Sequence, residues 1–177
     1  MRLAVFLMNM LLIFLIKKGT THMATVYEKA RSNQAFKTNL WSGILFGLGA
    51  VLFIDETLFH QIFHWHHFYD KSTTSIGLIS DGFLHAFSWF ATIGGLFLFA
   101  HLKRQSIYNS RTWWGGILIG AGAFQLYDGI IQHKLMRIHQ IRYVDNVFVY
   151  DLIWNIVAVL LLVLGLMLVL QVRKLQP

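Results

Sequence analysis

The stretch WSGILFGLGAVLFIDETLFHQIFHWHH, residues 41–67, decides the fold, because it returns as WGGILIGAGAFQLYDGIIQHKLMRIHQ, residues 114–140. Both copies read W-x-G-I-L-x-G-x-G-A, followed by an aspartate, a histidine five residues on and another histidine six residues further. The offset between matched positions is 73, as from Asp55 to Asp128. Apolar helices resemble one another by chance, but matched glycines, acids and histidines indicate an internal duplication.

A second apolar run follows each copy, so the repeating unit is predicted to be a helical hairpin. The four runs cover residues 39–68, 81–101, 114–138 and 147–172, and each is long enough for a membrane span of ~20 residues. Two spans per unit return the chain to its starting side, which makes the units parallel. We therefore predict an all-α membrane protein, a four-helix transmembrane bundle of two pseudo-symmetric hairpins. The first hairpin is 41–101 and the second is 114–172, within one membrane domain, 41–172.

Composition agrees with a membrane protein. The chain is 56% hydrophobic and 13% charged, about half the charged fraction of soluble domains. It contains no cysteine, which excludes disulfides and thiolate metal sites. The net charge of +7 comes from basic residues that flank the apolar runs, so the predicted partner is the lipid bilayer and not a nucleic acid. The only proline is Pro177, so the helices are expected to be unbroken.

The N-terminal run LAVFLMNMLLIFLI, residues 3–16, is too short for an ordinary span. It lacks the small-residue cleavage site of a signal peptide. Residues 1–22 are thus expected to be either an extra hydrophobic helix or a mis-assigned start, with translation beginning at Met23. Residues 23–40 are expected to form a cytoplasmic lead-in.

Basic residues predict the orientation. They cluster before the first run and around 103–111 and 173–174, which places those segments in the cytoplasm by the positive-inside rule. The expected location is the bacterial cytoplasmic (inner) membrane, with the loops near 70–80 and 142–146 outside.

Ionisable residues gather at one end of the predicted bundle, because each first helix ends where its partner begins. Placing such a residue inside a membrane costs from ~2.5 kcal/mol upward, so their number favours a functional site over simple packing. The candidate metal ligands are His60, His64, His66, His67, His85, His133, His139, Asp55, Asp81, Asp128 and Asp151. The supporting residues around them are expected to be Asn155, Glu56 and Arg137.

Helical spacing suggests how these groups combine. On an ideal helix, His60, His64 and His67 share a face, whereas Asp128 and His133 point ~140° apart. The latter pair therefore needs a distorted turn or a site between helices. We expect one composite site near the pseudo-twofold axis, with His60, His67 and His85 as direct ligands, joined by His133 or His139. Nitrogen and oxygen ligands without sulfur suit zinc, iron, copper(II) or manganese.

The same residues carry a family resemblance. The pattern of Asp55, His60, His66 and His67, then Asp81, Gly82 and His85, then His133, His139 and Arg142 resembles an uncharacterised family of small bacterial membrane proteins, domain of unknown function 2243. The resemblance covers roughly residues 40–172. This chain departs from the family pattern at Glu56, His64 and Gln140. Because that family has no assigned reaction, the resemblance implies the fold and the site but not a function.

Three functions remain open. The first is a metal-binding membrane protein, acting as a metal-dependent oxidoreductase or as a metal-handling factor for a respiratory-complex or other membrane partner. The second is a proton or ion pathway through the Asp/His chain, and the third is a haem-binding bundle with axial histidines. Whether the protein is an enzyme is left undecided.

Overall fold

A computed structural model describes residues 2–175, with the side chains of residue 23 and of residues 25–175. This part of the chain contains four α-helices: α1 (Arg2–Asp55), α2 (Thr74–Arg104), α3 (Ser110–Tyr127) and α4 (Phe148–Lys174). Two π-helical segments, Glu56–Ile62 and Asp128–Met136, extend α1 and α3. The two alternatives for residues 1–22, an extra hydrophobic helix or a mis-assigned start, concern residues whose side chains lie outside the described part.

A capping residue marks the first turn of α2 and another marks that of α3. The Thr73 hydroxyl accepts a hydrogen bond from the backbone N–H of Ile76 at 3.4 Å, so α2 begins seven residues before the predicted 81–101 run. The Asn109 side chain accepts from the N–H of Thr112 at 2.9 Å and starts α3. Such caps satisfy N–H groups that the first helical turn leaves without partners.

The glycines shared by the two copies let α1 and α3 cross in backbone contact. A Cβ atom added to Gly43 would collide with the Trp113 carbonyl oxygen and lie 3.0 Å from the Cα atom of Gly116. A Cβ atom added to Gly116 would lie 2.5 Å from the carbonyl oxygen of Leu40. Positions 40 and 113 differ by the same 73 residues as 43 and 116, so the crossing is the same from either side. Small residues are what close helix packing in membranes requires.

The two hairpins also pack alike internally. A Cβ atom on Gly49 of α1 would lie 2.6 Å from the Ser88 carbonyl oxygen of α2, and one on Gly122 of α3 would lie 2.8 Å from the Ala158 carbonyl oxygen of α4. These are matched positions, with an offset of 73 in the first helices and 70 in the second. The predicted helical membrane bundle is therefore confirmed, with α1 packed on α2 and α3, and α3 packed on α4.

Three stretches of the described residues are long and apolar enough to cross a membrane: Thr25–Ile62, Thr74–Arg104 and Phe148–Lys174. α3 has 18 residues, about 27 Å at 1.5 Å per residue, and the π-helical segment after it adds to that length. Large apolar side chains on α2 and α4 are exposed, among them Phe83, Phe90, Phe97, Ile153 and Leu160. They form the surface that meets lipid.

The prediction of unbroken helices is wrong at two matched places. His64 has φ 50° and Arg137 has φ 52°, a left-handed conformation that ends a helix. Before each of them the chain widens to π-helical turns, and the N–H groups of Trp65 and Ile138 bond to carbonyls six residues back at 2.9 and 3.1 Å. The predicted runs 39–68 and 114–138 consequently end as helices at Ile62 and Met136.

The prediction that His60, His64 and His67 share one helix face is wrong for the same reason. The helix ends at Ile62, so the later two histidines lie in the connecting loop and follow no helical period.

Candidate metal centre

Four buried imidazoles meet between the ends of α1 and α3. Within the hairpins, the ring centroids of His60 and His66 lie 4.4 Å apart, and those of His133 and His139 lie 4.7 Å apart. Between the hairpins, His66 stacks on His139 at 4.7 Å. The two diagonal separations, His60 to His139 and His66 to His133, are 6.2 and 6.1 Å. The cluster thus has the same pseudo-twofold arrangement as the helices.

His66 and His139 are each held by the opposite hairpin. The Nδ1 atom of His66 lies 3.0 Å from the Ile141 carbonyl oxygen, and that of His139 lies 2.8 Å from the Phe68 carbonyl oxygen. A carbonyl can only accept, so Nδ1 must carry the proton in both rings. In the neutral form of each ring the lone pair then lies on Nε2, which is the usual state of a metal-ligating histidine; the Nε2 atom of His139 also lies 3.3 Å from Asp128 Oδ1.

His60 is surrounded by carboxylates. Its Nδ1 atom lies 2.8 Å from Glu56 Oε2 and 3.2 Å from Asp81 Oδ1, while its Nε2 atom lies 3.7 Å from Asp55 Oδ2. Carboxylates accept hydrogen bonds, so the proton belongs on Nδ1. Its Nε2 atom, which has no hydrogen-bond partner among the described residues, is then available as a ligand.

His133 occupies the matching position in the second hairpin. Its Nε2 atom lies 3.0 Å from Asp128 Oδ2, and the other oxygen of Asp128 lies 3.3 Å from the Nε2 atom of His139. The Asp151 carboxylate lies 3.8 Å from the Nδ1 atom of His133. The π-helical segment spans Asp128 to His133, and its wider turn brings together two side chains that an α-helix would point apart. The distorted turn was one of the two alternatives that the spacing left open.

Two groups of ligand atoms have the spacing of a metal site, but their geometry differs. The separations of 2.8 and 3.2 Å in the first group are those of hydrogen bonds, whereas two ligands of a tetrahedral zinc lie ~3.4 Å apart, given bonds of ~2.1 Å. In the second group, one ring nitrogen from each member lies within 4.8 Å of the others, a spacing that a small closure would bring to metal distance. The first group is Glu56, His60 and Asp81, and the second is His66, His133 and His139.

The surroundings of the centre are strongly anionic. Five carboxylate residues are at most 9% exposed, whereas no lysine or arginine is buried among the residues whose side chains are described. Lys134 pairs with one of the five, Asp151. Burying a charge without a partner costs many kcal/mol. The other four lie against imidazoles of the cluster, which carry a compensating charge only when protonated, and they have no lysine or arginine partner among the described residues. The five are Asp55, Glu56, Asp81, Asp128 and Asp151.

Burial, with a smaller contribution from the neighbouring His60, lowers the pKa of His66 to about 2. The His66 ring is therefore neutral at any physiological pH. A neutral imidazole is the form that binds metals.

Other predicted ligands lie away from the centre. His64 and His85 are exposed, and the ring of His85 contacts Phe53 on the outside of the bundle. His67 forms a second layer, with its Nδ1 atom 2.6 Å from Asp81 Oδ2. The cluster of four imidazoles between the hairpins therefore includes His66. The sequence had instead predicted His67 and His85 as direct ligands.

The predicted supporting residues divide in the same way. Glu56 lies against His60, and Asn155 donates to the carbonyl of Asp151 at 2.8 Å. Arg137 is exposed and its Nε atom reaches the Lys134 carbonyl at 3.4 Å.

Sequence reasoning missed Lys134, which pairs with Asp151, and also Asp70 and Tyr143, which line a cavity beside the centre together with His66. Asp70 was recognisable, because it is an acid three residues after the histidine-rich stretch. Lys134 was not, because its partner Asp151 belongs to another helix.

The fold and this cluster define the class: a helical membrane bundle with a buried His/Asp centre at the end where the hairpin loops lie. Residues 42–172 match the family of predicted membrane proteins DUF2243, and the chain belongs to that family. This confirms the resemblance seen in the sequence. No curated protein and no solved structure matches the chain.

Proposed function

We propose that this protein binds a transition-metal ion in the membrane through a composite centre on the axis between its two hairpins. The direct ligands are His66, His133 and His139, with His60 and the carboxylates Asp55 and Asp128 completing the set. The observation that carries the proposal is the reciprocal hydrogen bonding of His66 and His139, which turns the lone pairs of both rings away from their carbonyl partners.

The charge balance supports the same proposal. Four buried carboxylates lack a lysine or arginine partner among the described residues, and a divalent cation would neutralise part of this charge. A set of imidazoles and carboxylates without sulfur suits zinc, iron or copper(II). The equal offset of matched contacts supports the predicted duplication, in which each copy supplied one aspartate and two histidines to the centre.

The geometry favours this proposal over a haem site. A haem held by two axial histidines needs their imidazoles on opposite faces of a wide macrocycle. The rings of His66 and His139 stack directly on one another, so no porphyrin fits between them.

An ion pathway is also less well supported. A pathway needs ionisable groups across the whole membrane. The buried polar residues nearer the other end are neutral: Asn39, Ser42, Ser88 and Thr112. Ser42, for example, uses its hydroxyl on the Gly95 carbonyl and accepts from the Trp113 indole.

The centre supports two roles, a metal-dependent oxidoreductase and a metal-handling factor that serves a membrane partner. Both require the ion, so binding is the step to test. The positive-inside rule supports an orientation with the centre in the outer half of a bacterial inner membrane, where an ion arriving from outside would meet it first.

The test is elemental analysis of protein purified in mild detergent. We expect wild type to retain zinc, iron or copper, and His133→Ala and His139→Ala to lose it. His85→Ala, which removes an exposed histidine outside the centre, is the matched control and should keep full occupancy. Full occupancy in both His133→Ala and His139→Ala would show that the second hairpin contributes nothing.

A further inference from the structure

A cavity of ≈ 200 Å³ lies beside the centre on the side of the first hairpin. Its wall includes the exposed residues His64 and Tyr143 and also His66, which is 6% exposed and belongs to the centre. It therefore leads from the surface of the protein to a proposed ligand. We call it the access pocket; it is lined by His64, Trp65, His66, His67, Asp70 and Tyr143.

The access pocket contains an imidazole and a carboxylate, the kinds of group that bind cations. His67 directs Nδ1 at Asp81 Oδ2, so its Nε2 atom has a free lone pair. Asp70 accepts from the His67 N–H at 3.2 Å through Oδ1, its Oδ2 atom is buried, and its carboxylate is the hydrogen-bonding neighbour of the Tyr143 hydroxyl. Burial, together with the Asp70 carboxylate, raises the pKa of Tyr143 to about 12, so this phenol adds no negative charge.

The matching side of the second hairpin is positively charged. Arg137 takes the left-handed position of His64, and Gln140 takes the position of His67. Lys134 donates to the Gln140 side chain at 3.0 Å and pairs with Asp151. Arg137 therefore stands where the first hairpin has the His64 imidazole, with Lys134 three residues before it, and like charges repel an approaching metal ion.

We propose that the access pocket is the route by which a divalent cation reaches the buried centre, and that the second hairpin admits none. This inference rests on the metal centre proposed above. A hydrated ion entering the pocket exchanges water for the weak ligands His64, Asp70 and His67, and then passes to His66. The route explains why the two copies diverged in one direction: the ligands of the centre were kept in both, and the pocket's imidazoles in only one.

The experiment measures how fast the full-length protein takes up Co²⁺. Protein in detergent is stripped with a chelator, the chelator is removed, and the visible absorption of bound Co²⁺ is followed over time. His64→Arg gives the first hairpin the residue of the second, and Asp70→Asn removes the carboxylate charge. We expect both to slow uptake about tenfold or more, as loss of electrostatic focusing does. The final amount of Co²⁺ per chain should stay that of wild type.

Asn146→Arg is the matched control, because it adds the same charge to an exposed position in the other loop at this end. It should take up Co²⁺ at the wild-type rate. Wild-type rates in both pocket variants, or equal slowing in the control, would overturn the route. A lower final amount in His64→Arg would make His64 a ligand of the centre and would also overturn it. If wild type binds no Co²⁺, Zn²⁺ or Fe²⁺, the centre itself is wrong and the route falls with it.

Discussion

His66 and His139 stack with their ring planes 6° from parallel, and each donates from Nδ1 to a backbone carbonyl of the other's hairpin. The carbonyls belong to Ile141 and Phe68, which also differ by 73 residues. The pair therefore closes the pseudo-twofold axis by two equivalent hydrogen bonds. It links the stability of the loop end of the bundle to the orientation of the proposed ligands.

Asparagine at either position is expected to separate these two roles. The amide N–H of asparagine lies near the position of Nδ1 and can still donate to the carbonyl. Asparagine has no atom at the position of Nε2, so it cannot bind the metal there. His66→Asn and His139→Asn should therefore unfold near the wild-type temperature and hold less metal. His66→Ala should also unfold at a lower temperature, because a buried carbonyl without a donor costs about 1–3 kcal/mol. Thermal unfolding in detergent and metal content per chain are the measurements, and full occupancy in the asparagine variants would contradict this assignment.

Asp81 is expected to act through the imidazoles that it holds. It accepts from the Phe68 N–H at 2.7 Å and lies 3.2 and 2.6 Å from the Nδ1 atoms of His60 and His67. Asp81→Asn cannot accept on both side-chain atoms, so the rings lose their fixed orientation. Such changes typically weaken metal binding by about 10–100-fold. Competition against a chelator of known affinity measures this; Asp145→Asn, an exposed loop acid, should bind as wild type.

The α1–α3 crossing should not tolerate a methyl group. Gly43→Ala and Gly116→Ala each place a Cβ atom against backbone of the other helix, and backbone cannot move aside as a side chain can. We expect a loss of about 1–3 kcal/mol or more for such overpacking, seen as a lower unfolding temperature. Gly82→Ala and Gly94→Ala are the controls, because nothing lies within 4 Å of a Cβ atom there. Equal stability of all four variants would be incompatible with the crossing.

The orientation can be tested with single cysteines, because the chain has none of its own. Ser75→Cys lies at the loop end that carries the centre, and Gln105→Cys lies at the opposite end, just after α2. The positive-inside rule predicts that a membrane-impermeant thiol reagent labels position 75 in intact cells. Position 105 should react only after the membrane is opened. Labelling of 105 alone in intact cells would reverse the orientation.

Much of the site could be read from the repeat. The residues that keep their identity in both copies, Asp55, His60 and His66 with Asp128, His133 and His139, are the ones that lie around the axis. Their partners His64, His67 and His85 differ between the copies, and none of them reaches the axis. Helical periodicity placed His67 on the same face as His60, because it assumed that α1 continues past Ile62. The π-helical turns ended that period; no proline marked them, and a glycine, Gly129, lies only in the second segment.

The sequence by itself determined the class of fold. Apolar runs of spanning length must form helices in a membrane, because backbone groups there find partners only within the helix, and the matched glycines of the two copies required a close crossing. Only the tertiary structure decided which imidazoles meet and which carbonyls hold them. Those choices depend on a one-residue widening of the helix end and on contacts such as His66 with Ile141, which join residues 75 positions apart. A local pattern does not contain that information, because the energy that selects the loop conformation comes from the opposite hairpin.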